Sequence, residues 1–232
     1  MSVAAAPTAM MRVARLYEST LGKKMVMAVT GVLLLGFVIA HLIGNLLFYL
    51  GPAALNSYGA GLHRLGPILW AARLGLLTAV VLHIWAAVQL WRINRAARPV
   101  NYRKLSPVTS SYASRTMMWS GPILAAFIIY HLLHFTFGTA HPDFREQAGG
   151  APEVYHNVVV GFSQIPVSLA YIVAMAFLGF HLMHGVWSMF QSIGWNHPKY
   201  TPLLRKSAVV IAALIVLGNI SIPISVLLGF HQ

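Results

Sequence analysis

Five apolar runs, at about 25–50, 67–91, 116–138, 161–190 and 207–230, dominate the chain, separated by polar or Pro/Gly-containing segments. Each is long enough to cross roughly 30 Å of hydrocarbon as a helix, which takes about 20 apolar residues. In lipid every backbone polar group must be bonded within the protein, so runs of this length are confined to helices. The expected fold class is an all-α integral membrane bundle of five transmembrane helices. Composition agrees: 9% of residues are charged and 58% hydrophobic, with a mean hydropathy of +0.70, against about 25% charged residues in a soluble domain. With 232 residues, residues 1–232 form one domain.

Sixteen Lys and Arg face four acids. They are not gathered on one soluble face as nucleic-acid binding would require, but sit in short segments between apolar runs. Arg12, Arg15, Lys23 and Lys24 precede the first span; Arg92, Arg95, Arg98, Arg103, Lys104 and Arg115 fill the second loop; Lys199, Arg205 and Lys206 fill the fourth. The first loop offers Arg64, and the third carries Asp143, Glu146 and Glu153 against Arg145. The positive-inside rule then predicts a cytoplasmic N-terminus and an external C-terminus. Trp70, Trp91, Trp119 and Trp195 fall near the expected interfaces, where aromatic belts form. The basic stretch before residue 25 has no apolar core of its own, so the first span is expected to be retained rather than cleaved. The chain has no cysteine, which excludes disulfides and all-cysteine iron–sulfur ligation. Pro67, Pro122 and Pro166 are expected near helix starts, and Pro223 inside the last span, with a kink.

Six histidines, His41, His83, His131, His134, His181 and His184, lie within the spans, and no acid accompanies them. Ionisable residues at membrane depth are costly and call for a function. A lone one is ordinarily a packing residue, but here four of five spans carry at least one. The missing carboxylates argue against an Asp/Glu/His proton relay and against carboxylate-bound zinc or iron. Neutral imidazole on a haem iron needs none.

Helical rise sorts these residues by depth. His41 lies 17 residues beyond Lys24 and His131 lies 16 beyond Arg115, so both stand roughly 25 Å from the cytoplasmic charges. His83 is nine residues before Arg92, roughly 14 Å from that end, and His181 and His184 also lie in the inner half of their span. Two levels about 10 Å apart, with two ligands each, suit two stacked haems. An iron held by two histidines has no open site and favours electron transfer. Spans one and three repeat one pattern at identical spacing: Gly31, Leu34, Phe37, Ile39, His41, Leu42 and Gly121, Leu124, Phe127, Ile129, His131, Leu132. The repeat favours His131 over His134 as a ligand and leaves His134 as a neighbouring or packing residue. At the inner level His181 and His184 share a helix face and both remain open, with depth slightly favouring His184. Glycines 22, 31, 36, 44, 121, 179 and 185 would allow a flat macrocycle, or simply another helix, to approach. Arg64, Arg73, Lys24, Arg115 and Gln191 are candidates to pair with propionates, or to snorkel to the interface.

The segments 21–31 (LGKKMVMAVTG), 41–45 (HLIGN), 131–135 (HLLHF) and 180–194 (FHLMHGVWSMFQSIG) resemble the single-chain, five-helix, dihaem cytochrome b anchor of succinate dehydrogenases and fumarate reductases. The resemblance spans residues 10–230. It implies two bis-histidine haems b, a distal one on His41 and His131 and a proximal one on His83 and His181. The placement of Phe180, Gly185, Val186 and Trp187 around the fourth-span ligand favours His181, with His134 and His184 as alternates. It further implies electron transfer between an iron–sulfur subunit and membrane quinone, menaquinone being suggested by the two-haem type. The implied partners are a flavoprotein subunit and that iron–sulfur subunit docked on the cytoplasmic face, in a prokaryotic inner membrane and within a complex that can form a higher oligomer. Tyr17, Ser19 and Lys23 are candidate quinone or docking residues. The chain departs from some fumarate-reducing relatives in having no membrane glutamate, which leaves proton handling unassigned. Two other functions compete: a dihaem subunit of a hydrogenase or formate dehydrogenase, and a haem-free channel or transporter. Paired broken spans with acidic coupling residues, expected of a transporter, are missing.

Overall fold

The computed structural model describes residues 17–97 and 112–231. Arg12, Arg15, Arg98, Arg103 and Lys104 lie outside them. Helix α1 (Thr20–Leu46) runs into a 3-10 turn (Leu47–Leu50) and is followed by a short α2 (Pro52–Arg64) and a long α3 (Pro67–Ala96). Helix α4 (Tyr112–His131) ends in a π turn (Leu132–Thr136), and α5 (Val154–Ser163), α6 (Ile165–Ser192) and α7 (Thr201–Leu227) complete the chain. Five helices, Thr20–Leu50, Pro67–Ala96, Tyr112–Thr136, Ile165–Ser192 and Thr201–Leu227, are long and apolar enough to cross a membrane. This is a multi-pass membrane bundle, and its described residues form no strand beyond the single bridge Glu146–Pro152.

Helix α1 packs on α3, α4 packs on α6, and α6 lies against α1 and α7. The first two contacts make two helix pairs, α1·α3 and α4·α6. One core cluster, Phe48, Leu55, Phe162, Tyr171, Ile222 and Val226, fills the end that carries the third loop. A second, Leu42, Leu182, Ala212 and Ile215, joins α1, α6 and α7. Outward positions such as Leu214 and Leu217 stay more than 60% exposed. Their natural solvent is lipid, since no polar face opposes them.

Several boundaries differ from expectation for local reasons. Helix α1 begins at Thr20 rather than near 25, because Ser19 caps the Gly22 N–H (2.9 Å) and the buried Lys23 ammonium donates to the carbonyls of Tyr17 (2.9 Å) and Glu18 (2.6 Å). Basic residues therefore sit inside the helix. For the same reason α3 carries Arg92 and Arg95 to Ala96, with the Arg95 guanidinium over the Trp91 ring. Helix α4 starts at Tyr112, which places Pro122 in its interior and not near its start. The fourth run breaks at Gln164, leaving residues 154–163 as a helix of their own. Pro166 causes this: it has no N–H, and its ring would clash with the Phe162 carbonyl four residues back. The Ser168 hydroxyl takes over that carbonyl at 2.6 Å.

The third loop is tied by side chains. Asn157, 2% exposed, accepts the Arg145 N–H through Oδ1 (2.9 Å) and donates through Nδ2 to the Arg145 carbonyl (3.0 Å). Asp143 accepts from Arg145 (2.8 Å) and bonds His156 Nε2 (3.0 Å). The Arg145 hydrogen bond, aided by His156, holds the Asp143 carboxyl below the ordinary carboxylate range, although partial desolvation opposes it. A lowered native pKa gives stability that is present above the unfolded value and is lost as pH falls through the folded one. Thermal melts of wild type and D143N in detergent are accordingly expected to differ most near neutral pH and to converge in acid. A difference that grows on acidification overturns the assignment.

Candidate cofactor site between the helix pairs

The spans bring four of the six membrane histidines together in twos. The rings of His41 (α1) and His131 (α4) have centroids 5.8 Å apart, and those of His83 (α3) and His181 (α6) are 6.2 Å apart. Each couple joins one helix pair to the other. The couples occupy two levels, because an alanine Cβ at Gly31 would lie 3.5 Å from the His83 ring while His41 stands ten residues further along α1. Ten residues of helix rise about 15 Å. Helix α4 repeats this spacing: Ser120 touches His181, and His131 is eleven residues on. The separation exceeds the expected 10 Å because charged residues lie within the helix ends and are poor depth markers.

Hydroxyl groups fix the ring nitrogens. The Thr30 hydroxyl donates its proton to the Val26 carbonyl at 2.7 Å, so toward His83 Nδ1, 3.1 Å away, it can only accept. That selects the Nδ1–H tautomer of His83 and leaves Nε2 with its lone pair. The fully buried Ser120 occupies the corresponding place on the other helix pair, its Oγ 3.5 Å from the Met117 carbonyl and 3.4 Å from His181 Nδ1. His131 Nδ1 lies 3.3 Å from the Tyr171 phenol oxygen, which also stands 3.1 Å from His134 Nδ1. His41 has ring contacts alone among the described residues, stacked on Phe37 at 5.3 Å and edge-on to His131.

The remaining two histidines differ from these. His134 is fully buried on the π turn after α4, stacked on Tyr130 (5.5 Å) and His141 (4.9 Å), and its Nε2 has no partner among the described residues. His184 makes no hydrogen bond or ring contact among the described residues. Of the quinone or docking candidates, Tyr17 donates to Gln89 at 2.8 Å, Ser19 is the α1 cap, and Lys23 is committed to backbone carbonyls. Of the propionate candidates, Arg73 lies over Trp70 and Arg115 over Tyr112, whereas Lys24 and Gln191 meet across a cavity of about 240 Å³ with Met27 and Ser188.

Thr30, Ser120 and Tyr171 escaped the sequence reading. A signal for the first two was present: each is a hydroxyl residue immediately before the first glycine of the repeated pattern, at Gly31 and Gly121.

The family model described as succinate dehydrogenase/fumarate reductase transmembrane subunit matches residues 92–220, more than half of the chain. The chain belongs to this family. The match takes in His131 and His181 on α4 and α6, and begins beyond His41 and His83, whose places in this transmembrane subunit rest on the geometry above. No curated protein and no solved structure matches the chain.

Proposed function

We propose that this transmembrane subunit is the dihaem cytochrome b anchor of a succinate:quinone oxidoreductase, passing electrons between an iron–sulfur subunit and membrane quinone. The observation that carries the reading is the pair of histidine couples. Their centroid separations, 5.8 and 6.2 Å, are of the size that two imidazoles sharing one haem iron would need. Among the described residues no three His, Cys, Asp or Glu side chains gather to hold a bare metal ion. A ligand set of twos suits a macrocycle that brings four nitrogens of its own.

In this reading His41 and His131 hold the distal haem and His83 and His181 the proximal one. Haem b supplies one-electron redox chemistry. The chain's own residues do the rest. Thr30 holds the His83 ring in the tautomer that presents Nε2, and Ser120 stands in the corresponding place beside His181. Gly185, one turn beyond His181, would meet no atom within 4 Å if it carried a Cβ, so that face of α6 is open. The second nitrogen of His181 is thus tied while His184 has no such tether, which favours His181. Lys24 and Gln191 stand where they would meet propionates at the basic end.

The same reading places the end bearing Arg92, Arg115, Lys199 and Arg205 in the cytoplasm of a prokaryotic cell, where it would dock the iron–sulfur subunit and, through it, the flavoprotein. Quinone, menaquinone by the two-haem type, is the membrane substrate. Two of the three Lys23 donors are taken by backbone carbonyls, which favours a docking or structural role for it over quinone binding. The hydrogenase and formate dehydrogenase alternatives give way to the family membership.

The test is a dithionite-reduced minus oxidised spectrum of the protein purified from its native membrane, with haem measured as pyridine haemochrome. Two low-spin b haems per chain are expected. Colourless, intact protein overturns the reading in favour of packing histidines.

A further inference from the structure

We infer that Tyr171 is a positioning residue that lowers the redox potential of the distal haem through His131, an inference that rests on the dihaem reading above. The Tyr171 ring is 6% exposed and wedged edge-on against Phe127 and Phe162, each 4.9 Å away. Its oxygen reaches two imidazole nitrogens, His131 Nδ1 at 3.3 Å and His134 Nδ1 at 3.1 Å. A phenol has one proton to give.

Ligation through Nε2 leaves the His131 proton on Nδ1, so His131 must donate and the Tyr171 oxygen must accept. The phenol proton then has one remaining partner, His134 Nδ1. His134 in turn carries its own proton on Nε2, the buried nitrogen without a partner beside Gly161. The bonds thus run in one direction, from His131 through Tyr171 to His134. This gives the otherwise unexplained buried His134 a task that does not require it to be a ligand. Successive bonds in one sense polarise each other.

An acceptor on the free N–H of a ligating imidazole raises the ligand's basicity. A more basic ligand favours the oxidised iron and lowers its potential. Across the couple His41 has no such partner among the described residues, so Tyr171 is the lever on the distal side. Thr30 and Ser120 are the corresponding levers on the proximal side.

The experiment is a redox titration of both haems, with their low-spin electron paramagnetic resonance signals, in the purified complex carrying Y171F, T30V or H134L. Y171F keeps the ring and its packing. It is expected to retain both haems and to favour reduction of the distal one by about tenfold, a rise of about 59 mV for one electron, with a displaced signal for that haem alone. T30V is expected to raise the proximal haem and leave the distal one unmoved. H134L removes the acceptor but not the phenol, and is expected to give a smaller rise in the distal haem, which keeps the inference testable if Y171F loses haem. Unchanged distal potentials in Y171F, or in H134L where Y171F does not assemble, overturn the inference while leaving the dihaem reading intact. Absence of haem from the wild type defeats both.

Discussion

Alanine at His41 or at His131 is expected to remove one of two haems and leave the other at full occupancy, halving the pyridine haemochrome value. Alanine at His83 or His181 is expected to remove the complementary haem. The specificity follows from the geometry: each couple joins α1 or α3 to α4 or α6, and the couples stand about 15 Å apart on both α1 and α4, so a ligand at one level has no reach to the other. Each haem would be held by one imidazole from each helix pair, so a variant lacking one of the two would hold its haem by half of the proposed ligand set. H184A and H134A are expected to keep both haems. Retention of both in H41A and H131A overturns the distal assignment. Loss in H184A combined with retention in H181A moves the proximal ligand one turn along α6.

The five spans were legible because length and hydropathy alone decide whether a segment crosses lipid. Their ends were less so. Lys23 bonds backbone carbonyls of residues 17 and 18, and Arg95 lies over Trp91, so charges that mark the end of an apolar run do not mark the end of a helix. The short α2 and α5 carry a mixed composition, and nothing in their sequences separates a short helix from a loop. Of the site, the histidine couples could be named from the repeat and the resemblance, and the structure brings those same residues together. The tethers were harder, because a threonine or serine in a membrane helix usually bonds its own preceding turn. Thr30 does that as well, at 2.7 Å from the Val26 carbonyl, and this commitment is what turns it into an acceptor for His83; Ser120 stands in the corresponding place beside His181. Tyr171 had no sequence mark at all: its partners lie 37 and 40 residues away, and only packing of α4 on α6 brings them within reach. The resulting design has an internal symmetry. Helices α1 and α4 each give a hydroxyl to the proximal level and a histidine to the distal one, eleven residues on in both.

Gly161→Ala is expected to destabilise the subunit by up to about 2 kcal/mol, whereas Gly31→Ala is neutral or stabilising. Both glycines lie in helices, where alanine is intrinsically better by about 1 kcal/mol. The surroundings decide the sign. At Gly31 the added methyl would meet the His83 ring at 3.5 Å, an ordinary contact. At Gly161 it would lie 2.9 Å from His134 Cε1 and 3.1 Å from both His134 Nε2 and His141 Nε2. Neither ring can yield. His134 is stacked on Tyr130 and bonded to Tyr171, and His141 gives its Nε2 to the Asn157 carbonyl at 2.7 Å while its Nδ1 receives the Asp143 N–H at 3.1 Å. Overpacking of a fixed core costs about 1–3 kcal/mol, which outweighs the helical gain. Thermal melts of the two variants in one detergent separate the cases. Since the displaced ring is the one that receives the Tyr171 proton, G161A is also expected to shift the distal haem potential in the sense of H134L. A G161A protein as stable as wild type, with an unmoved distal haem, means that His134 has room to turn away and that the chain of bonds through Tyr171 is not fixed by packing.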